Sequence, residues 1–441
     1  MANRRLLISG GSVITVDPSL GDLPQADILV EDGKISAIGV GLEAADADVL
    51  DARDFIVLPG LIDTHRHTWQ SVVRHRMGDA DLLQYRKEIL SGMGPRFRPS
   101  DVYIGNLLGV LAAVESGTTT LLDWSHIQNT PDHSDAAIAA LRDSGIRAVF
   151  AHGWPRTDGA AWAMDSTRPH PDDIRRIRRD VLSSDDDLVT LALAARGPEM
   201  ATMDITRHDF QLARELGIRT TMHVGIRGMG AKYRAVERMH CEGLLGPDLT
   251  LIHMCECSDD ELKMTADAGV STCIGPHATM TMDGVGVMPI GRLLAAGIRP
   301  SLSGDTESCA CGDMFNQMRF ALAGHRYVRN NNLTPRQGPD LRVRDVLEFA
   351  TLVGAEACGL GHRVGSLRPA KDADIIFVRR TDLNLAPVSD AVGAVVLGAH
   401  PGNVDTVMVR GKILKQGGKM IGYDLDRVRA LAAASQSYLL G

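Results

Sequence analysis

Five times between residues 100 and 300 the chain runs through a helical stretch, a glycine and a short apolar run. Asp101–Ser116 ends at Gly117, Ser134–Ser144 at Gly145, Asp209–Leu216 at Gly217, Asp259–Ala268 at Gly269 and Ile290–Ala296 at Gly297. A glycine just past the last helical residue takes the left-handed conformation that closes a helix. The run after each glycine is short and apolar, as a buried strand is. The strand candidates are Leu61–His67, Thr118–Trp124, Arg147–Gly153, Leu188–Gly197, Arg219–Gly225, Leu249–Cys255, Val270–Gly275 and Arg299–Asp305. Eight strands in strict alternation with helices are what a (β/α)8 TIM barrel requires. A doubly wound open sheet has the same rhythm, so periodicity alone leaves both architectures open.

The flanks read differently. Residues 5 to 58 break into short strands, Leu6–Val16, Ala26–Val30, Gly33–Ile38 and Val49–Leu58, with Asp32-Gly33 as a hairpin signal. After a helical region at 343 to 360, strand-like runs return at Gly365–Leu367, Ala373–Val378, Ala394–Leu397, Val404–Val409 and Lys412–Leu414. The expected organisation is an α/β chain: residues 59–363 form the barrel, and residues 1–58 and 364–423 together build a small β-sandwich domain. Residues 424–441 form a terminal helix.

Charge removes several function classes. Lys and Arg total 47 against 55 Asp and Glu, a formal charge of −8. Nucleic acid and anionic membranes need a concentrated basic face. The basic string Arg175, Arg176, Arg178, Arg179 lies among Asp172, Asp173 and Asp180 and reads as a solvated helix face. No apolar run is long enough for a signal peptide or a membrane span. Seven cysteines without zinc-finger spacing read as reduced thiols, which places the protein in the cytoplasm.

The chemistry-bearing residues gather at the ends of the barrel strands. His65-Arg66-His67 closes the first strand. Residues i and i+2 of a strand share a face, so His65 and His67 converge while Arg66 turns away. Two neutral imidazoles at that spacing are half of a divalent-metal site. His223 ends the fifth strand, His253 the sixth and Asp305 the eighth. In a barrel these ends meet on one rim, where the active sites of this fold lie.

Pro59-Gly60-Leu61-Ile62-Asp63-Thr64-His65-Arg66-His67 matches the PGxIDxHxH signature of the amidohydrolase superfamily, and the chain is identified as resembling that superfamily over almost its whole length. Val30–Ile35, the segment Val364-Gly365-Ser366-Leu367 with Lys371–Asp374, and Val404–Gly411 resemble its flanking β segments. Within the superfamily the chain is most similar to the ATZ/TRZ-type hydrolases, a group that includes triazine hydrolases and guanine, oxoguanine and adenosylhomocysteine-type deaminases. The resemblance implies that His65, His67, His223 and Asp305 bind one divalent metal, zinc first, with iron, cobalt or manganese as alternatives. It implies that His253 orients water or substrate. Binuclear branches carry a lysine on strand four, and Leu191–Gly197 has none, so one metal is expected. The implied activity is hydrolysis of a carbon–nitrogen bond, not a peptide, in a small heterocyclic substrate, by a protein that forms a homodimer or larger homo-oligomer.

Such a cation lowers the pKa of a coordinated water from about 15.7 towards about 7. Asp305 is then placed to take the water proton and His253 to bond the developing oxyanion. One position departs from the family. The glutamate expected three residues after His223 is Ile226, which cannot transfer a proton. Glu199, Asp283 and Glu307 are candidate substitutes. The alternative is a reaction without ring protonation, releasing a non-amine group or opening a cyclic amide. A non-catalytic relative would have lost metal ligands, and this chain keeps the expected set. Trp69, Gln70, His152, Arg196 and His277, at strand ends or in the loops after them, are the expected substrate contacts. The long stretch Arg74–Pro99 is the expected lid.

Overall fold

The computed structural model describes residues 5–333 and 337–441. Among these described residues, seventeen strands fall into two sheets. The amino-terminal strands are β1 (Arg5–Val13), β2 (Leu23–Glu31), β3 (Lys34–Gly39), β4 (Asp48–Asp51) and β5 (Phe55–Pro59). The middle strands are β6 (Leu61–Arg66), β7 (Thr118–Ser125), β8 (Arg147–His152), β9 (Val189–Ala195), β10 (Arg219–Val224), β11 (Leu249–His253), β12 (Ser271–Ile274) and β13 (Ser301–Leu302). The carboxy-terminal strands are β14 (Ile375–Arg379), β15 (Val404–Val409), β16 (Lys412–Gln416) and β17 (Lys419–Met420).

The middle strands pair in sequence order, all parallel, from β6 to β13. The ends of that sheet meet: Asp305 bridges to Arg66, its N–H donating to the His65 carbonyl at 3.0 Å and its carbonyl accepting from the His67 N–H at 2.8 Å. The eight strands therefore form a (β/α)8 barrel, which removes the open-sheet alternative. The glycines between helix and strand do what their position requires. Gly117, Gly145, Gly217, Gly269 and Gly297 all have φ between +66° and +93°, a region costly for residues with a Cβ.

Strand residues alternate between two cores. Ile62, Leu122, Val149, Ala151, Ala192, Ala194, Ile252 and Cys273 cluster with Ala355 and Cys358, on and just after the helix Leu352–Ala357. Their neighbours Leu121, Phe150, Leu193 and Leu251 belong to the larger cluster that holds the helix residues Val110, Ile138 and Phe210. The first set faces the barrel axis and the second the surrounding helices.

The outer strands form one continuous sheet, joined where β14 pairs antiparallel with β5. Both termini thus build the β domain together, as a single hydrogen-bonded sheet rather than two separate ones. The chain passes from that sheet into the barrel at Gly60, where a Cβ would lie 2.0 Å from the Thr119 hydroxyl oxygen. Arg147 on β8 ties the two parts together, bonding Asp374 at 2.9 Å and Asp372 at 2.8 Å. Two expected strands are corrected. Ala394–Leu397 lies in a helical turn, Ala394–Gly398, and Gly365–Leu367 is not a strand. A four-residue apolar run fits either state, and context decides. Among the described residues no helix is long and apolar enough to cross a membrane.

Candidate active site

The carboxy-terminal ends of β6, β10, β11 and β13 bring five side chains to one point. The His65 and His223 Nε2 atoms are 3.1 Å apart. Asp305 Oδ1 lies 3.4 Å from His65 Nε2 and 3.7 Å from His67 Nε2, and its Oδ2 lies 4.0 Å from His253 Nε2. The groups His65, His67, Asp305 and His65, His223, His253 each offer donor atoms within 4.8 Å of one another, and they share His65. The backbone is strained where two of these residues sit, since His253 has φ +75° and Asp305 φ +56°. Non-glycine residues hold such angles only where surrounding structure enforces them.

The electrostatics suit a cation. Burial pushes His67 down to about 3, with His65 adding to the effect, and pushes His253 down to about 4. His223 is also driven well below the usual histidine range by burial and by His65. These rings are neutral at neutral pH, with lone pairs available. Burial alone would raise the Asp305 carboxyl, but its hydrogen bond to His65 and the neighbouring imidazoles hold it below the usual carboxylate range. Zinc–nitrogen bonds of about 2.1 Å at tetrahedral angles place ligand nitrogens about 3.4 Å apart, and the distances above bracket that value. Three imidazoles and a carboxylate can therefore hold one divalent cation. β9 carries no lysine to bridge a second.

Neighbouring residues fix the ligands. Asp63 Oδ2 accepts from Arg66 Nε at 2.8 Å, and its Oδ1 accepts from the backbone N–H groups of His65 at 3.3 Å and Gly304 at 3.1 Å. One carboxylate thus ties the first strand to the loop that carries Asp305. His67 Nδ1 faces the Trp124 carbonyl at 3.1 Å, which directs its Nε2 to the centre.

Above the centre lies a cavity of about 320 Å3, lined by His67, Trp124, His126, His223, His253, Asp305 and Thr306, with Trp154 and Arg156 from the loop after β8. Leu82, Tyr85, Arg86, Leu90 and Ser91 close one side. The expected lid stretch therefore does cover the cavity, through Leu82–Tyr85 and Arg86–Met93. Ile226 also lines it.

The expected substrate contacts do not line this cavity, and their placement is corrected. Trp69 is buried, and its Nε1 donates to His126 Nδ1 at 3.4 Å. Gln70 Nε2 donates to the Tyr85 hydroxyl at 2.7 Å, and its Oε1 accepts from the Thr306 hydroxyl at 2.6 Å. Gln70 therefore braces two cavity residues from behind. His152 faces His170, with nitrogens 2.9 Å apart. Arg196 is captured by Asp209 at 3.0 Å and by the Ser166 hydroxyl at 2.9 Å. His277 stacks on Phe320, and its Nδ1 accepts from the Cys311 N–H at 3.0 Å. The candidate substitute acids are also elsewhere. Glu199 accepts from the Gly225 N–H at 2.7 Å, Asp283 pairs with Arg227, and Glu307 accepts from the Ser71 hydroxyl at 2.5 Å. Among the described residues, Asp305 is the one carboxylate that lines the cavity. Sequence reasoning missed Tyr85, Arg86, Trp124, His126, Trp154 and Arg156. The strand-end rule applied to β7 would have found Trp124 and, just beyond it, His126.

A barrel with these donors on its carboxy-terminal rim defines a metal-dependent hydrolase. The model of the Amidohydrolase family matches residues 56–414, and the chain belongs to that family. It is therefore an enzyme of the amidohydrolase type. A 5'-deoxyadenosine deaminase of Methanosarcina mazei is 27% identical over 433 residues, covering 96% of this chain and 95% of the relative. A 5-methylthioadenosine/S-adenosylhomocysteine deaminase of Caldicellulosiruptor saccharolyticus is 24% identical, covering 95% of each. Among solved structures, an adenosine deaminase of Xanthomonas campestris with bound zinc superposes with a TM-score of 0.85 at 23% identity, covering 99% of this chain and 98% of that one. An atrazine chlorohydrolase of Arthrobacter aurescens complexed with zinc gives 0.86 at 24%, covering 98% and 100%.

Proposed function

We propose that the protein is a mononuclear aminohydrolase that holds one zinc ion with His65, His67, His223 and Asp305 and removes an amino group from a small heterocycle. The observation that carries this reading is the convergence of those four side chains at the base of one cavity. When bound, the cation supplies Lewis acidity and lowers the pKa of a coordinated water. Asp305, kept ionised by its neighbours, accepts the water proton and returns it to the departing group. His253, on the Oδ2 side of Asp305, hydrogen-bonds the oxygen on which charge develops. Trp124, His126 and Trp154 form an aromatic wall against which a flat ring can pack.

A second reading has its own support. Ile226 stands where the ring-protonating acid is expected, and no carboxylate on the cavity wall replaces it among the described residues. A substrate whose leaving group needs no ring protonation, or a cyclic amide whose ring nitrogen Asp305 can protonate, suits that wall. The deaminases among the relatives favour the first reading, and the missing acid favours the second. Seven unpaired cysteines fit the expected cytoplasmic setting, and a homodimer or larger homo-oligomer rests on the resemblance alone.

Metal content per chain, measured beside an ammonia-release screen over purines, pterins, pyrimidines and triazines, tests this. About one equivalent of metal with ammonia from one compound class is the expected result. One equivalent without ammonia moves the reaction to the second reading. A protein that takes up no metal overturns both.

A further inference from the structure

We propose that the substrate is an anion, and that Arg156, with Arg86 at the rim, receives its carboxylate or phosphate group. This rests on the hydrolase reading and adds the charge of the substrate to it.

Arg156 lies in the loop after β8 and is 7% exposed. Its Nε has no hydrogen-bond partner, and among the described residues no carboxylate pairs with its guanidinium. Burial lowers it to about 10, with no carboxylate to offset the effect and only the Tyr85 hydroxyl nearby, so it stays charged at neutral pH. A buried cation without a counter-charge is costly, and proteins pair such groups or reserve them for a ligand. The position is built. The Arg156 N–H donates to Asn129 Oδ1 at 2.7 Å, and Asn129 Nδ2 donates to the Gly94 carbonyl at 3.0 Å. A Cβ on Gly94 would lie 2.7 Å from Arg156 Cγ, so glycine makes room for the stem. The guanidinium carbon stands 5.6 Å from the Trp154 ring centroid.

Arg86 begins the segment Arg86–Met93 and lines the same cavity, where the Glu199 carboxyl acts on it electrostatically without lining the cavity. With a divalent cation seated, Asp305 is the one carboxylate on the cavity wall among the described residues to oppose its charge and two guanidinium groups, with Glu199 acting on Arg86 from behind the wall. A forked guanidinium matches carboxylate and phosphate oxygens in pairs. Trp154, beside Arg156, meets Trp124 edge-on at 5.3 Å, and Trp124 meets His223 at 4.2 Å, so the two indoles link Arg156 to the metal centre along the cavity wall and suit the ring of the substrate. The structure therefore favours a charged heterocycle over the uncharged nucleosides named for several relatives.

The test is binding of matched probes to the zinc-loaded full chain by calorimetry. Orotate is compared with uracil for a carboxylate, and adenosine 5′-monophosphate with adenosine for a phosphate. One anion of the two is expected to bind about ten-fold or more tightly than its neutral partner. Which pair shows the preference distinguishes carboxylate from phosphate. Arg156→Met should erase the preference and leave the zinc content unchanged, and Arg156→Lys should retain part of it. Arg86→Gln, at an exposed position, should weaken it in a protein whose fold is not at risk. Equal binding within both pairs overturns the proposal, as does a preference that survives in folded Arg156→Met and Arg86→Gln. Either result leaves the hydrolase reading standing as long as zinc is bound and a neutral heterocycle is turned over.

Discussion

The Nε2 atoms of His65 and His223 lie 3.1 Å apart although their strands, the first and fifth of the barrel, are 158 residues apart in the chain. Two ring nitrogens at that distance can both turn their lone pairs inward only towards a cation between them. His223→Ala should therefore reduce bound metal from about one equivalent to under about 0.1, since a site of this kind depends on each ligand. Elemental analysis after dialysis reads this directly. Retention of a full equivalent would place the cation elsewhere.

Asp305→Asn should lower kcat by about a thousand-fold, the range expected when a positioned proton carrier is lost. The main-chain bridge from Asp305 to His65 and His67 does not use the side chain, so circular dichroism and melting should change little. Near-normal turnover in a well-folded variant would remove Asp305 from the proton path.

Arg196 and Gln70 separate structural from binding roles. Arg196→Met leaves the buried Asp209 without its guanidinium, though still bonded to the His170 N–H and facing His208, which should cost about 1 to 3 kcal/mol in stability with little effect on kcat/KM of the folded fraction. Gln70→Leu removes the bonds that hold Tyr85 and Thr306 in the cavity wall. It should destabilise by about 1 to 3 kcal/mol and raise KM. The reverse pattern, with activity lost in Arg196→Met and kept in Gln70→Leu, would return Arg196 to the substrate.

Stability of the metal-free protein should fall as pH drops from about 6.5 towards 5. Burial lowers His67, His126, His152, His170, His223 and His253, so the unfolded chain takes up protons that the folded one refuses. Each contributes stability that is fully present above the unfolded histidine value and lost below it, at about 1.4 kcal/mol per pH unit while it titrates. Asp63, Asp123 and Glu199 are raised by burial and act in the opposite sense, but the histidines outnumber them. Urea midpoints with chelator at pH 7 and pH 5 check this. An equal or higher midpoint at pH 5 would contradict it.

The alternation of strands and helices and the convergence of His65 with His67 were legible because both follow from local periodicity, whereas the choice of a barrel and the full set of proposed metal ligands came from the family resemblance. Glycine caps mark where helices stop, and a two-residue strand period sends His65 and His67 to one face. The cavity wall was not legible, because it depends on partners far apart in sequence. Arg196 leaves its strand at Gly197 and meets Asp209 on the next helix. Gln70 lies in the helical turn Thr68–Val73, which points it away from the cavity to Tyr85 and Thr306. Tyr85 and Arg156 come from segments with no sequence period that would aim them at the site.

The central claim is one metal ion among His65, His67, His223 and Asp305. Anomalous diffraction at the zinc edge from crystals of the zinc-loaded protein tests it most directly. The account predicts a single peak per chain, within bonding distance of His65 Nε2 and His223 Nε2. Two peaks, or one remote from these side chains, would contradict it.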